Sequence, residues 1–509
     1  MKPLSAIAIA IAFVTSSVYG APTEAITTTH ITSAKVACAL FHFTYPNHTF
    51  YPNSSAYIYE TQTQYWSVTD YAGPQCVFVP QNAQQVAFAV SSMVLSQTQF
   101  AVRGGGHMPI PGYNNIDSSG VLLSTTNLSS LALSTDKSVL SIGPGNKWVT
   151  VYNFLQPYGL CAIGGRVGGV GVPGYLLGGG ISFYSNQYGF ASDNVVKYEC
   201  VLASGLIVEA TATNTYSDLF WALKGGGNSF CIVTRFDVKT VASPEVWVGL
   251  AQYDSSQKTK YLDAVYNFGK YGSLDSKAAI IPTIVSFPSL NTSVYTAAKF
   301  YDSLVNNAAP FENFTTPQLF PTVDTYALQP LSGYITLIDS LQPDGPRQQF
   351  TVMSSIVDRN ALEIVHDTFL LEVFTQLSSI SGLQTSLTFQ PITKEFIQQG
   401  ISKGGNPQGV DISKAPYFWM VENWSWSNSA DDATIYAFSK SVTDNINAQL
   451  KAKGLQGTYL YMNDAGAGQQ IFQNYPTANL ARLKSIRAKY DPLQIYTKLM
   501  PGGWKVLNA

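Results

Sequence analysis

Apolar residues run along the first half of the chain in two rhythms. Short unbroken runs at 76–79, 100–102 and 121–123 read as buried strands, the first of them stopped by Pro80. Between the first two, Val86, Val90, Met93 and Val94 fall at helical spacing within 81–96. The stretches 128–133 and 139–142 continue the strand pattern, and 148–155 reads as a helix closed by Pro157 and Gly159. Residues 195–203 and 206–210 flank the two-residue turn Ser204-Gly205, which predicts a strand pair. A short helix over 217–223 and a strand over 230–238 follow. From 246 to 455, strands at 279–287, 350–356 and 417–426 alternate with helical patterns at 258–268, 361–378 and 430–452. The order predicts an α+β chain whose second part is an antiparallel sheet with helices.

Glycine breaks these rhythms at three places: 104–106, 164–180 and 225–227. The first follows a strand and reads Arg103-Gly104-Gly105-Gly106-His107. Such a turn aims successive backbone N–H groups at one point, and Arg103 is expected to add a positive charge, so the loop suits a pyrophosphate. His107 leaves the loop beside that anion. The second stretch, GGRVGGVGVPGYLLGGG, is too rich in glycine for a stable helix, at roughly 1 kcal/mol per Gly relative to Ala, and is expected to be mostly loop. Its interleaved Val, Leu and Tyr argue against a plain linker. It is neither a Walker A loop nor a G-x-G-x-x-G entering a helix.

Composition adds the compartment. Only 12% of the 509 residues are charged and the net charge is −2, so nothing points to a nucleic-acid partner. Residues 6–14 form an apolar core behind Lys2, with small residues near Gly20. Residues 1–20 therefore read as a removed secretion signal, too short to span a bilayer, and no later stretch spans one. Sequons at Asn47, Asn53, Asn127, Asn291, Asn313 and Asn423 fit a secreted glycoprotein. Of five cysteines, Cys38 and Cys76 flank the first segment and suit a disulfide. Cys161, Cys200 and Cys231 lie in apolar surroundings, and at least one is free. No cysteine–histidine cluster suggests a metal. Arg482, Lys484, Arg487 and Lys489 read as the solvated face of the last helix.

Several motifs in one order carry a resemblance. They are Arg103–His107; the glycines of 168–180 followed by Tyr188-Gly189 and Asp193-Asn194; Trp221-Ala222-Leu223-Lys224-Gly225-Gly226-Gly227-Asn228; Ile232-Val233-Thr234-Arg235-Phe236; Tyr461-Met462-Asn463-Asp464-Ala465-Gly466; and Tyr490-Asp491-Pro492. Over residues 38–509 the chain resembles the secreted fungal berberine-bridge-enzyme-like flavoproteins of the vanillyl-alcohol-oxidase superfamily. The resemblance implies a PCMH-type FAD-binding domain over 38–245, a substrate-binding domain over 246–455, and a segment 456–509 that returns to the first. It places cofactor contacts at Arg103, Gly104, Gly105, Gly106, His107, Met108, Val170, Gly171, Gly174, Gly178, Gly179, Val233 and Asn463.

By position His107 is the residue joined covalently to FAD. The position of a second, cysteinyl link in some relatives is Val167 here, so one bond is expected. Val170 matches the residue that opens the flavin to O2, which implies an oxidase rather than a dehydrogenase. Pro173 replaces a usual glycine and removes one N–H. Tyr461 matches the residue that takes the substrate's hydroxyl proton in carbohydrate-oxidising members, a role requiring a nearby cation or donor to lower its pKa. Gln408 and Glu422 are expected to be structural, as are Trp424 and Trp426. Tyr113 is read as more often core than a substrate contact, and His366 as satisfied or on the surface. The implied protein is a secreted monomeric oxidase acting on an oligosaccharide or a secondary metabolite. The rival is a secreted glycan-binding protein that keeps the fold without the chemistry.

Overall fold

The computed structural model describes residues 32–509; the leader expected over residues 1–20 lies outside the described residues. The described residues form three sheets. In the first, Cys76–Phe78 and Phe100–Arg103 lie parallel on either side of Val121–Ser124. A parallel pair needs a crossover, and the helix Ala83–Ser96 supplies it, with Asn82 capping its start and Val86, Val90 and Met93 buried. Val94 is only partly buried. The helix Ser33–Thr44 precedes the first sheet, and Cys38 is bonded to Cys76 as the sequence suggested. Cys200 and Cys231 also pair, which leaves Cys161 as the free, buried thiol.

The second sheet is antiparallel, in the order Leu131–Leu133, Val139–Ile142, Ile232–Ala242, Val195–Val201, Ile207–Thr211. The stretch expected as a strand from 128 is strand only from Leu131, because Leu128 instead turns back onto Thr125 through its N–H. The glycine stretch 164–180 is not all loop either. Val172–Leu177 is a short helix with Pro173 in its first turn, where the missing N–H costs nothing. Burial of Val172 and Leu176 offsets the one glycine inside it.

The third sheet has eight strands, all antiparallel, from Val246–Asp254 to Tyr417–Trp426. Side chains alternate between its faces. Ile284, Leu387, Phe389, Phe418 and Met420 pack under the helices Lys258–Lys270, Arg359–Gln376 and Asp432–Ala452. The opposite face carries Thr283, Ser386, Thr388, Val421 and Asn423 and looks onto the first two sheets across a cavity. The C-terminal segment closes on the first part of the chain. The Tyr496 hydroxyl donates to the Val201 carbonyl at 2.8 Å, and the Phe100 N–H donates to the Leu499 carbonyl at 2.7 Å. Arg487, expected on a solvated face, is buried instead, because its guanidinium turns in to donate to the Asp491 carbonyl at 3.0 Å.

Candidate active site

The cavity has a volume of about 890 Å³, near the upper end for small-molecule and cofactor sites. Its floor is built where the two long glycine stretches touch. Gly105 and Gly171 lie backbone on backbone, and a Cβ on either would fall inside 3.0 Å of the other. A Cβ on Gly104 would likewise meet Pro173, so the proline fills the space left by that glycine. Gly106 has φ +68° and sits against the Gln64 carbonyl, while its own carbonyl accepts from the Trp66 N–H at 3.0 Å. The second stretch is pinned from both sides. The Trp148 N–H donates to the Val170 carbonyl at 3.0 Å, and the Gly169 N–H donates to the Asp339 carboxylate at 2.5 Å.

His107 emerges from this floor with its ring stacked on Trp66, the centroids 4.3 Å apart and the planes 10° apart. Burial drives its pKa down to about 4, and the Lys147 ammonium pushes the same way. The imidazole is therefore neutral near pH 7, with one ring nitrogen carrying a free lone pair.

Most of the expected residues meet here. Gly104, Gly105, Gly106, His107, Met108 and Val170 line the cavity, as do Gly171, Gly174, Gly178, Val233, Tyr461 and Asn463. Val167 also lines it, so no thiol stands at that position. Arg103 does not line it. Its guanidinium is buried against Glu60, with further bonds to Ser124 at 2.6 Å and Thr126 at 2.8 Å. The expectation that Arg103 offers charge to an anion is therefore corrected: that charge is already paired. Gly179 is also off the wall. It turns at φ +109° between Gln408 and Phe190, behind the cavity.

Asn463 donates its amide to the Tyr175 carbonyl at 3.0 Å and to the Tyr461 hydroxyl at 2.9 Å. Tyr461 also accepts from the Ile181 N–H at 3.1 Å, so both its lone pairs are used. The base role expected of Tyr461 needs a lowered pKa. Burial, and then the Asp464 carboxylate, instead hold it well above 10, against the weaker pull of Asn463 and Arg166.

Gln408 and Glu422 lie off the cavity, in keeping with a structural reading. Glu422 faces the helix layer, accepts from the Thr443 hydroxyl at 3.1 Å and is pushed up to about 8 by burial. Trp424 is in the core under the helices, Trp426 reaches the cavity edge, and Tyr113 lines it. His366 is satisfied between Tyr295 at 2.8 Å and Asp367 at 2.6 Å. Among the cavity residues to which the sequence assigned no role are Trp66, Arg166, Gln390 and Asp464. Asp464 alone carried a signal, its place beside Asn463.

Comparison with known proteins agrees with this geometry. The FAD binding domain family matches residues 74–211. The chain is 35% identical over 486 residues to the FAD-dependent monooxygenase prx3 of Penicillium roqueforti, covering 93% of this chain and 94% of that one. The chain belongs to the FAD-linked oxidoreductases. Two solved structures share the fold of this oxidoreductase, each with a TM-score of 0.73. One is 6-hydroxy-D-nicotine oxidase from Arthrobacter nicotinovorans, 19% identical, covering 88% of this chain and 95% of that one. The other is glucooligosaccharide oxidase from Acremonium strictum, 16% identical, covering 92% of this chain and all of that one; its flavin is a 6-S-cysteinyl, 8α-N1-histidyl FAD.

The site of this FAD-linked oxidoreductase fits an FAD. Gly104, Gly105 and Gly171 leave a floor in which an added Cβ would meet the facing chain, and His107 and Asn463 border the cavity above it.

Proposed function

We propose that the chain is a secreted oxidase that removes a hydride from a hydroxyl-bearing small molecule or oligosaccharide, with FAD bound covalently through His107 and O2 as the electron acceptor. The observation that carries this reading is the placement of His107, which leaves the glycine floor and lines the cavity with its ring stacked on Trp66. A nucleophilic nitrogen must be unprotonated to form a covalent bond, and burial provides that near pH 7. When bound, FAD supplies the hydride acceptor and the path of electrons to O2.

The chain's own residues do the rest. Gly104, Gly105 and Gly171 allow close approach of the backbone, and Asn463 holds Tyr461 in place. Val167 offers no thiol, so a single link through His107 follows. Val170 keeps a small apolar side chain where the resemblance puts the approach of O2. Across the cavity, the third sheet presents hydroxyls and amides from Thr283, Ser386, Thr388 and Asn423, groups suited to a neutral, hydroxylated substrate. The Cys38–Cys76 disulfide and the sequons support secretion.

Purified protein tests this reading. It should be yellow and keep its flavin through acid precipitation, and His107→Ala should lose the acid-stable fraction. Oxygen consumption over a panel of gluco- and xylo-oligosaccharides and phenolic alcohols should reveal a substrate that also bleaches the flavin without air. Colourless protein that cannot be reconstituted with FAD would overturn the oxidase reading and leave the glycan-binding alternative to be tested.

A further inference from the structure

Among the described residues, Arg166 and Asp464 are the charged side chains on the cavity wall. They come from distant parts of the sequence and are joined by Gln390 on the strand Gln384–Ile392. Arg166 donates to the Gln390 amide oxygen, and the Gln390 amide nitrogen donates to Asp464 Oδ2 at 2.7 Å. A guanidinium can only donate, so the amide must turn its oxygen to Arg166 and its N–H to Asp464. The carboxylate is thereby held by one oxygen. Its Oδ1 receives no hydrogen bond among the described residues.

We propose that Asp464 is a catalytic base of this oxidoreductase, with Gln390 and Arg166 as its positioning residues. The proposal rests on the reading that the cavity oxidises a hydroxyl. In that reaction the substrate O–H bond breaks and its proton forms a new O–H bond with Asp464 Oδ1. The carbon–oxygen bond becomes a carbonyl, and the hydride leaves the same carbon with its electron pair for the FAD.

Three observations separate Asp464 from Tyr461 in this role. Asp464 has an oxygen free for the substrate, whereas both lone pairs of Tyr461 are taken. Burial raises Asp464 to about 6 while Arg166 and the Gln390 bond restrain the rise, so the carboxylate is mostly ionised near pH 7 yet basic enough to accept a proton. Tyr461 is protonated at the same pH. It remains a hydroxyl whose one uncommitted hydrogen-bonding capacity is donation. The ionisable groups facing Asp464 are Arg166 from the glycine stretch, Tyr175 from the helix Val172–Leu177 and Tyr461 from its own segment. Of these only Arg166 is charged.

The test uses the full-length holoenzyme and the most active member of the substrate panel. Asp464→Asn keeps the shape and should lower kcat/KM by about 10²–10⁴-fold with acid-stable flavin unchanged. Wild-type kcat/KM should fall as pH drops through about 6. Arg166→Met should move that limb to higher pH, because the cation that disfavours protonation is gone; a merely structural Arg166 would leave it in place. In the absence of substrate, infrared difference spectra between about pH 5 and about pH 7 should show a protonated-carboxyl band in the wild type that Asp464→Asn lacks. Activity of Asp464→Asn within threefold of wild type, or the limb or the band surviving in that variant, overturns the proposal. A wild type that holds flavin but is reduced by no panel member overturns hydroxyl oxidation itself, and the proposal with it.

Discussion

Gly171 is where the floor of the cavity is most sensitive to one added carbon. It has φ −74° and ψ 144°, a conformation open to alanine, so Gly171→Ala carries no backbone penalty and its effect is steric. The new Cβ would stand 2.5 Å from both the Cα and the N of Gly105, where ordinary contact begins at 3.4 Å. Backbone atoms cannot rotate away as a flexible side chain does. The two stretches must therefore part by about 1 Å, at a cost of about 1–3 kcal/mol by the usual scale of overpacking. In a chain this long that lowers Tm by only about 1–3 °C. The functional effect should be larger. Gly105 is two residues from His107, and a displacement of about 1 Å at a reacting group reduces rates by about 10²-fold. The assay follows acid-stable flavin fluorescence over time after FAD is added to apoprotein, beside calorimetry of the same samples. Gly174→Ala is the control: its Cβ meets nothing within 4 Å, and the apoprotein should gain up to about 1 kcal/mol. If Gly171→Ala acquires flavin at the wild-type rate with unchanged Tm, the reasoning about the glycine floor is wrong.

Two further substitutions check the polar interior. Arg103→Ala should destabilise the chain by about 3–5 kcal/mol in denaturant unfolding, because Glu60 is left buried without its cation; a cost under about 0.5 kcal/mol would mean that Arg103 is a solvated charge after all. Asp70 is 2% exposed, neither carboxylate oxygen has a partner among the described residues, and burial raises its pKa from 3.8 to about 8. The folded chain then holds a proton that the unfolded chain releases, so its stability falls as pH rises from about 4 to about 8, by about 5 kcal/mol at most. Asp70→Asn should match wild type near the acid end and exceed it near pH 8 in urea unfolding, and a difference that does not grow with pH would rule the explanation out.

Elements with a clear rhythm were legible in the sequence almost to the residue. Trp148–Leu155 and Val139–Ile142 match the apolar pattern because each buries a whole face against its neighbours. The strand pair around Ser204-Gly205 was legible from its turn, where Gly205 adopts φ +80°. The helix Val172–Leu177 was not, since the surrounding glycines argue against it and only tertiary burial of Val172 and Leu176 outweighs them. The glycine-lined side of the cavity was legible because its residues lie in local motifs. Arg103 was misread because its partner Glu60 is 43 residues away.

Local sequence limits the conformations the chain can take: where glycine lets backbone approach backbone, where apolar periods demand burial, and where His107 follows a strand. The tertiary structure alone decided which charges are spent and which are free. Arg103 is neutralised behind the floor while Arg166 and Asp464 face the cavity, joined through Gln390 from the third sheet. Local sequence sets propensities within a few residues, but the state of a buried charge depends on every group within a few ångströms, and those come from segments hundreds of residues apart.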